Sequence, residues 1–164
     1  MILIIKVQMY EAKQDSVMPL TSLKNHLKYI EMIGKRNKYK TYLFNDHSNE
    51  INPREFIKKL NHQPKGNVPG FRLIITYDEQ YSRRHMFNHI LKAINTLEVH
   101  NDEKYDWLGI FHIEENSIPH VHIIIRALDS ITDERIEFYP NYIPKIKLLL
   151  EEEIQKNKKL YQLG

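Results

Sequence analysis

A chain of 164 residues can bury a real core and reads as a single domain, 1–164. It contains no cysteine, which excludes disulfides and thiolate metal sites and fits a reducing cytoplasm. The net charge of +3 is too small to diagnose a nucleic-acid partner by itself, and no apolar run is long enough to span a membrane. The expectation is a cytoplasmic protein without membrane insertion.

The opening MILIIKVQM (1–9) is apolar and β-branched and predicts a strand; it lacks the basic start and the cleavage site of a signal peptide. SLKNHLKYIEMIG (22–34) predicts a helix capped by Ser22 and ended by Gly34, with Leu23, Leu27 and Ile30 at helical spacing. KTYLFN (40–45) predicts a short strand. NPREFIKKL (52–60) predicts a helix, with Asn52 as cap and Pro53 at its first position. HQPKGNVPG (62–70) is a loop by its proline and glycine content.

FRLIITY (71–77) predicts a strand, and SRRHMFNHILKAINTL (82–97) a helix whose stripe is Phe87, Ile90, Leu91 and Ile94. Two strands follow, YDWLGIFHI (105–113) and PHVHIIIRA (119–127), joined by EENSI. RIEFY (135–139) predicts a last strand. A final helix runs from about Pro144, carrying Ile146, Leu150 and Ile154. Helices alternate with strands early, and the later strands join through tight turns. That order predicts an α+β fold, an antiparallel central sheet of about five strands with helices packed on its faces.

Charge is unevenly distributed. Bases outnumber acids across 24–65, with a dense knot at GKRNKYK (34–40), while EEEIQKNKK (151–159) is mixed and reads as a solvated helix face. Lys35, Arg36, Lys38 and Lys40, interleaved with Tyr39 and Tyr42, have the composition of a groove that holds single-stranded nucleic acid by phosphate contacts and stacking. Arg83 and Arg84 open the helix at 82–97 and offer a second phosphate contact.

The most informative stretch is FHIEENSIPHVHIIIRA (111–127). Alternate strand residues share a face, so His120 and His122 point one way and Val121 the other. In a hairpin across EENSI, His112 falls about opposite His120, where partner Cβ atoms are roughly 5 Å apart, and His122 lies one diagonal step away. Three imidazoles then converge on a point that one cation can occupy, an arrangement known from catalytic metal sites with an open position. Arg126 shares their face in an ideal strand and is a further candidate contact to a DNA phosphate. His47, His62, His85, His89 and His100 are expected in loops or on helix surfaces, and His26 is ambiguous. A metal here can activate water or polarise a phosphate oxygen for another nucleophile. No Ser-His-Asp or Cys-His arrangement stands out, but there are ten tyrosines, and tyrosine can attack phosphorus.

PHVHIII resembles the histidine–hydrophobic–histidine signature of the HUH endonucleases, which nick single-stranded DNA with a tyrosine and a divalent metal. HLKYI followed by GKR resembles the tyrosine-bearing helix of relaxases related to the T-DNA border endonuclease. GFRLIITYDE is similar to their strand ending in an acidic pair, WLGIFHIEENSIPHVHIIIRALD to their histidine block, and RIEFYPNYI to the strand and helix start that follow. The resemblance implies an HUH, ferredoxin-like sheet, with Tyr29 as nucleophile and His112, His120 and His122 as metal ligands. It implies Asp78 or its neighbour Glu79 as the acid that orients one ligand, and Mg²⁺ or Mn²⁺ as the metal; three imidazoles alone also suit Zn²⁺, Ni²⁺ or Cu²⁺.

The activity it implies is strand-specific DNA nicking and transfer through a 5′-phosphotyrosine, in plasmid mobilisation or conjugation. The partners it implies are single-stranded DNA at an origin of transfer and accessory DNA-binding or coupling proteins. Met32 and Ile33 stand where such relaxases carry an Arg and an acid, and KIKLLLEEE lacks their glycine- and arginine-rich helix start. Two alternatives remain open. One is a rolling-circle replication initiator or single-strand transposase using Tyr142, with Tyr161 a weaker choice. The other is a DNA-binding module that keeps the HUH fold without catalysis.

Overall fold

A computed structural model describes residues 5–6, 25, 27–29, 32, 42–47, 53–61, 70–77, 82–112, 118–136 and 141–162. The elements in chain order are β1 (Ile5–Lys6), β2 (Tyr42–Phe44), α1 (Pro53–Asn61), β3 (Gly70–Thr76), α2 (Arg83–Asn101), β4 (Trp107–His112), β5 (His120–Arg126) and α3 (Tyr142–Gln162). Asn25, Leu27, Lys28, Tyr29 and Met32 are also helical. The fold is α+β: an antiparallel sheet in the order β1-β3-β5-β4-β2, with helices packed against it.

Local signals account for the helices. α1 begins at a proline, carries Glu55 in its first turn and Lys58 and Lys59 in its last, and so complements its own dipole. The Ser82 side chain accepts from the His85 N–H at 3.3 Å and starts α2. α2 ends at Asp102, which is left-handed (φ 53°) and returns its N–H to the Glu98 carbonyl.

Strand alternation divides the sheet into two unequal faces. On the first, Phe71, Leu73 and Ile75 of β3 join Trp107, Phe111, Val121, Ile123 and Ile125, and α2 and α3 close over them with Met86, Ile90, Ile94, Ile146, Leu150 and Ile154. On the second, Leu108, Ile110 and Ile124 meet Leu27 and Phe56, flanked by Leu43 and Ile57. The second layer is much the thinner.

Two expectations need correction. Arg135 forms only an isolated bridge with Leu128, so 135–136 build no strand of the sheet, and the rest of RIEFY lies outside the described residues. His89 is not a surface histidine: it is 2 % exposed, among the buried residues of α2. Its ring sits where α2 meets α3, and the Asn157 side-chain amide donates to Nε2 at 2.8 Å.

Candidate metal centre

His112 pairs with His120 across the β4–β5 ladder, and His122 pairs with Ile110. All three histidines are half-buried and share the parity of Leu108, Ile110 and Ile124, which places them at one end of the thinner face. Beside them runs β3, where Thr76 pairs with His120 and Ile74 with His122. The row through His122 is therefore Leu43, Ile110, His122, Ile74, an apolar floor under an imidazole row.

The ring spacings are those of three ligands around one ion. With metal–nitrogen bonds of about 2.1 Å, ring centres stand about 3.2 Å from the metal, hence roughly 4.5 Å apart at right angles and 5.2 Å apart in a tetrahedron. The observed centroid separations are 4.9 Å (His112–His120), 4.8 Å (His112–His122) and 5.2 Å (His120–His122). One nitrogen from each ring lies within 4.8 Å of the others; the His112 and His120 rings stand parallel, 3° apart, so at least one of them turns about its side-chain bonds to aim its lone pair at a shared ion. His112, His120 and His122 can thus hold a metal ion. Three neutral ligands leave the ion's full charge for an anionic partner.

One ring orientation follows from its hydrogen bond. His120 Nδ1 lies 3.0 Å from the Ile118 carbonyl oxygen. A carbonyl only accepts, so Nδ1 is the donor in this contact, which in a neutral ring leaves the lone pair on Nε2.

The other site residues expected from sequence are distributed as follows. Leu27 is buried in the cluster under the histidine face, and Tyr29, about 200° further round the helix, is 55 % exposed. Among the described residues no hydrogen bond or ring contact joins Tyr29 to the histidines. Tyr142 packs against the core of the opposite face. Arg83 and Arg84 are exposed in the first turn of α2. Arg126 shares the histidine face, but it stands four residues beyond His122, roughly 13 Å at strand rise. Its guanidinium lies 3.7 Å from Asp106 Oδ2, which also takes Lys59 Nζ at 3.0 Å and so ties α1 to that end of the sheet. Lys35, Arg36, Lys38, Lys40, Asp78 and Glu79 lie outside the described residues, as do Tyr161's side chain and His26.

Sequence reasoning passed over Thr76 and the Ile118 carbonyl. Thr76 was legible from the alternation of FRLIITY, which opposes Phe71, Leu73 and Ile75 to Arg72, Ile74 and Thr76. A main-chain acceptor leaves no trace in residue type.

A second polar cluster is structural. Asp129 is buried, which favours its neutral form, yet the backbone N–H groups of Lys104, Thr132 and Ile131 hold its carboxyl below the usual range. Lys104 also donates to Glu98 at 2.7 Å, which accepts from the Tyr105 N–H at 2.8 Å. This knot joins the end of α2 to the turn after β5.

Comparison with protein-family models, with curated proteins and with solved structures gives no match. No helix among the described residues is long and apolar enough to cross a membrane.

Proposed function

We propose that the protein is a metal-dependent DNA strand transferase that nicks single-stranded DNA at an origin of transfer, in plasmid mobilisation or conjugation. The observation that carries this reading is the convergence of His112, His120 and His122 on the sheet face covered by the tyrosine-bearing helical segment. Tyr142, the nucleophile of the replication-initiator and transposase reading, packs on the other face; Tyr29 belongs to the segment whose Leu27 packs on the histidine face, and its exposed side chain has to turn toward the triad to act there.

In this reading the Tyr29 phenolate oxygen attacks a backbone phosphorus. A Tyr–O–P bond forms, the bond from phosphorus to the 3′ oxygen breaks, and that oxygen takes up a proton. The products are a 5′-phosphotyrosine and a free 3′-hydroxyl; attack by a 3′-hydroxyl on the adduct reverses the step and reseals the strand. The three histidines hold a divalent cation, Mg²⁺ or Mn²⁺, which supplies charge neutralisation at the phosphate oxygens. Asp78 or Glu79 orients a ligand histidine, and Lys35, Arg36, Lys38, Lys40, Arg83 and Arg84 hold the strand's phosphates. The apolar floor of Ile110, Ile74 and Leu43 lowers the local dielectric and strengthens the cation's pull on the anion.

The test is covalent capture. Labelled single-stranded oligonucleotides are incubated with the protein and Mn²⁺, denatured, and resolved for a protein–DNA band. The band should vanish in Tyr29→Phe and His120→Ala and persist in Tyr142→Phe. Loss in Tyr142→Phe, with retention in Tyr29→Phe, would assign the initiator or transposase role instead. No band on a verified nick site would leave a binding module.

A further inference from the structure

The Ile118–Pro119 peptide makes three contributions beside the triad that packing alone does not require. The Ile118 side chain is 63 % exposed, so its packing is nearly dispensable, while its carbonyl oxygen meets His120 Nδ1 at 3.0 Å. Pro119 is buried, and its own carbonyl accepts the Tyr77 N–H at 3.1 Å, which anchors it to the end of β3. The proline ring fixes its φ and confines the preceding residue to extended backbone. The direction of the Ile118 carbonyl is thereby set by the chain itself.

We infer that the Ile118 carbonyl is a positioning group for the metal centre, holding His120 as the Nδ1–H tautomer with Nε2 presented as the ligand before any ion arrives. The inference rests on the metal reading of the triad and deepens it. A ligand histidine generally needs an acceptor on its other nitrogen, which fixes the ring and makes it more basic. Here a main-chain oxygen supplies that acceptor for His120. A neighbouring carboxylate, such as Asp78 or Glu79 in the proposed function, is then left for His112 or His122. It also accounts for a proline directly before a ligand histidine. Any other residue there would add an N–H and free the preceding ψ, and the acceptor could swing away from the ring.

Two measurements test this without DNA. The first is a long-range ¹H–¹⁵N correlation spectrum of the metal-free protein at about pH 8, where imidazole is neutral. His120 should show the Nδ1–H pattern; an Nε2–H tautomer overturns the inference. The second is a Co²⁺ titration followed by visible absorption. Pro119→Ala should bind on the order of 10-fold more weakly, and Ile118→Ala as tightly as the parent. Parent-like affinity in Pro119→Ala, with an unchanged unfolding midpoint, overturns it as well. A parent that takes up no Co²⁺ at all would sink the metal reading together with the positioning role. If the parent binds Co²⁺ with the wrong His120 tautomer, the positioning role alone fails.

Discussion

Replacing Gly109 by alanine should destabilise the protein through one ring. An ideal Cβ at Gly109 would sit 2.3 Å from Phe44 Cζ and 2.5 and 2.7 Å from the two adjoining ring carbons. Carbon–carbon contact needs about 3.6 Å, so the ring must retreat by roughly 1 Å. It has nowhere to go. Phe44 is 1 % exposed, stacked on Phe111 at 4.3 Å and edge-on to Phe87 at 5.4 Å and Trp107 at 5.7 Å. Overpacking of this kind costs about 1–3 kcal/mol, while the gain from replacing a strand glycine is about 0.5–1 kcal/mol. The net loss is about 0–2.5 kcal/mol, a little over 1 kcal/mol at mid-range, which lowers Tm by about 2–5 °C at this chain length. Urea unfolding followed by tryptophan fluorescence reads it directly, because Trp107 adjoins the displaced ring. The double variant Gly109→Ala/Phe44→Leu should recover part of the loss by giving the methyl room. An unchanged or raised midpoint in Gly109→Ala would refute the reasoning.

Acid should act on the protein in two separate ranges. Burial, with a smaller contribution from the neighbouring His85, pushes the His89 pKa below its ordinary value, against the opposing pull of Glu153. The folded state therefore favours neutral His89, and its contribution to stability is complete above the unfolded pKa of about 6.5 and fades as pH falls below it. Between pH 7.5 and 5, His89→Gln, which stays neutral and keeps an acceptor for Asn157, should lose less of its urea midpoint than the parent; an equal loss would count against the account. Asp129 has a lowered pKa, so its contribution is present above about 4 and lost below that range. At pH 7, Asp129→Ala strands three N–H donors, those of Lys104, Ile131 and Thr132. It should cost about 2–3 kcal/mol in chemical unfolding, and Asp129→Asn, which keeps one oxygen for Ile131 and Thr132, should cost less.

The strongest signals in the sequence were those that alternation and capping carry. H-x-H after a proline, in a run of isoleucines, specified a strand with two histidines on one face, and the hairpin brought His112 opposite His120. Pro53 marked a helix start because such signals are local. Helical periodicity was less decisive. Of the stripe expected on α2, Ile90 and Ile94 are buried, while Phe87 and Leu91 are only partly buried against the core; the buried line also takes in Met86, His89, Ala93 and Leu97. The buried stripe is thus displaced by part of a turn toward His89, a residue whose polar ring gives no sign of burial in the sequence. Its burial depends on Asn157, 68 positions along, whose amide donates to Nε2 where α3 packs on α2. Arg126 illustrates another limit. Alternation assigns a residue its face but not its neighbours, and Asp106 and Lys59 sit around this arginine at the far end from the histidines.

The position of the candidate site follows from how the two faces divide the work. The proposed function asks of a metal centre both a low dielectric around its ligands and an opening for the substrate. The face beneath α2 and α3 is too well filled for that: Val121 and Ile123, flanking His122 in sequence, are almost fully buried. The other face is covered by Leu27 and Phe56 toward its middle, which leaves the row of His112 and His120 half-buried at the sheet's end. Because the side-chain period is two, a one-residue slip of β5 would carry His120 and His122 under the long helices and turn Val121 and Ile123 outward. The packing of Phe44 over Gly109 and of Val121, Ile123 and Ile125 beneath α2 and α3 forbids that slip. The same contacts that stabilise the core thus hold the three imidazoles in register.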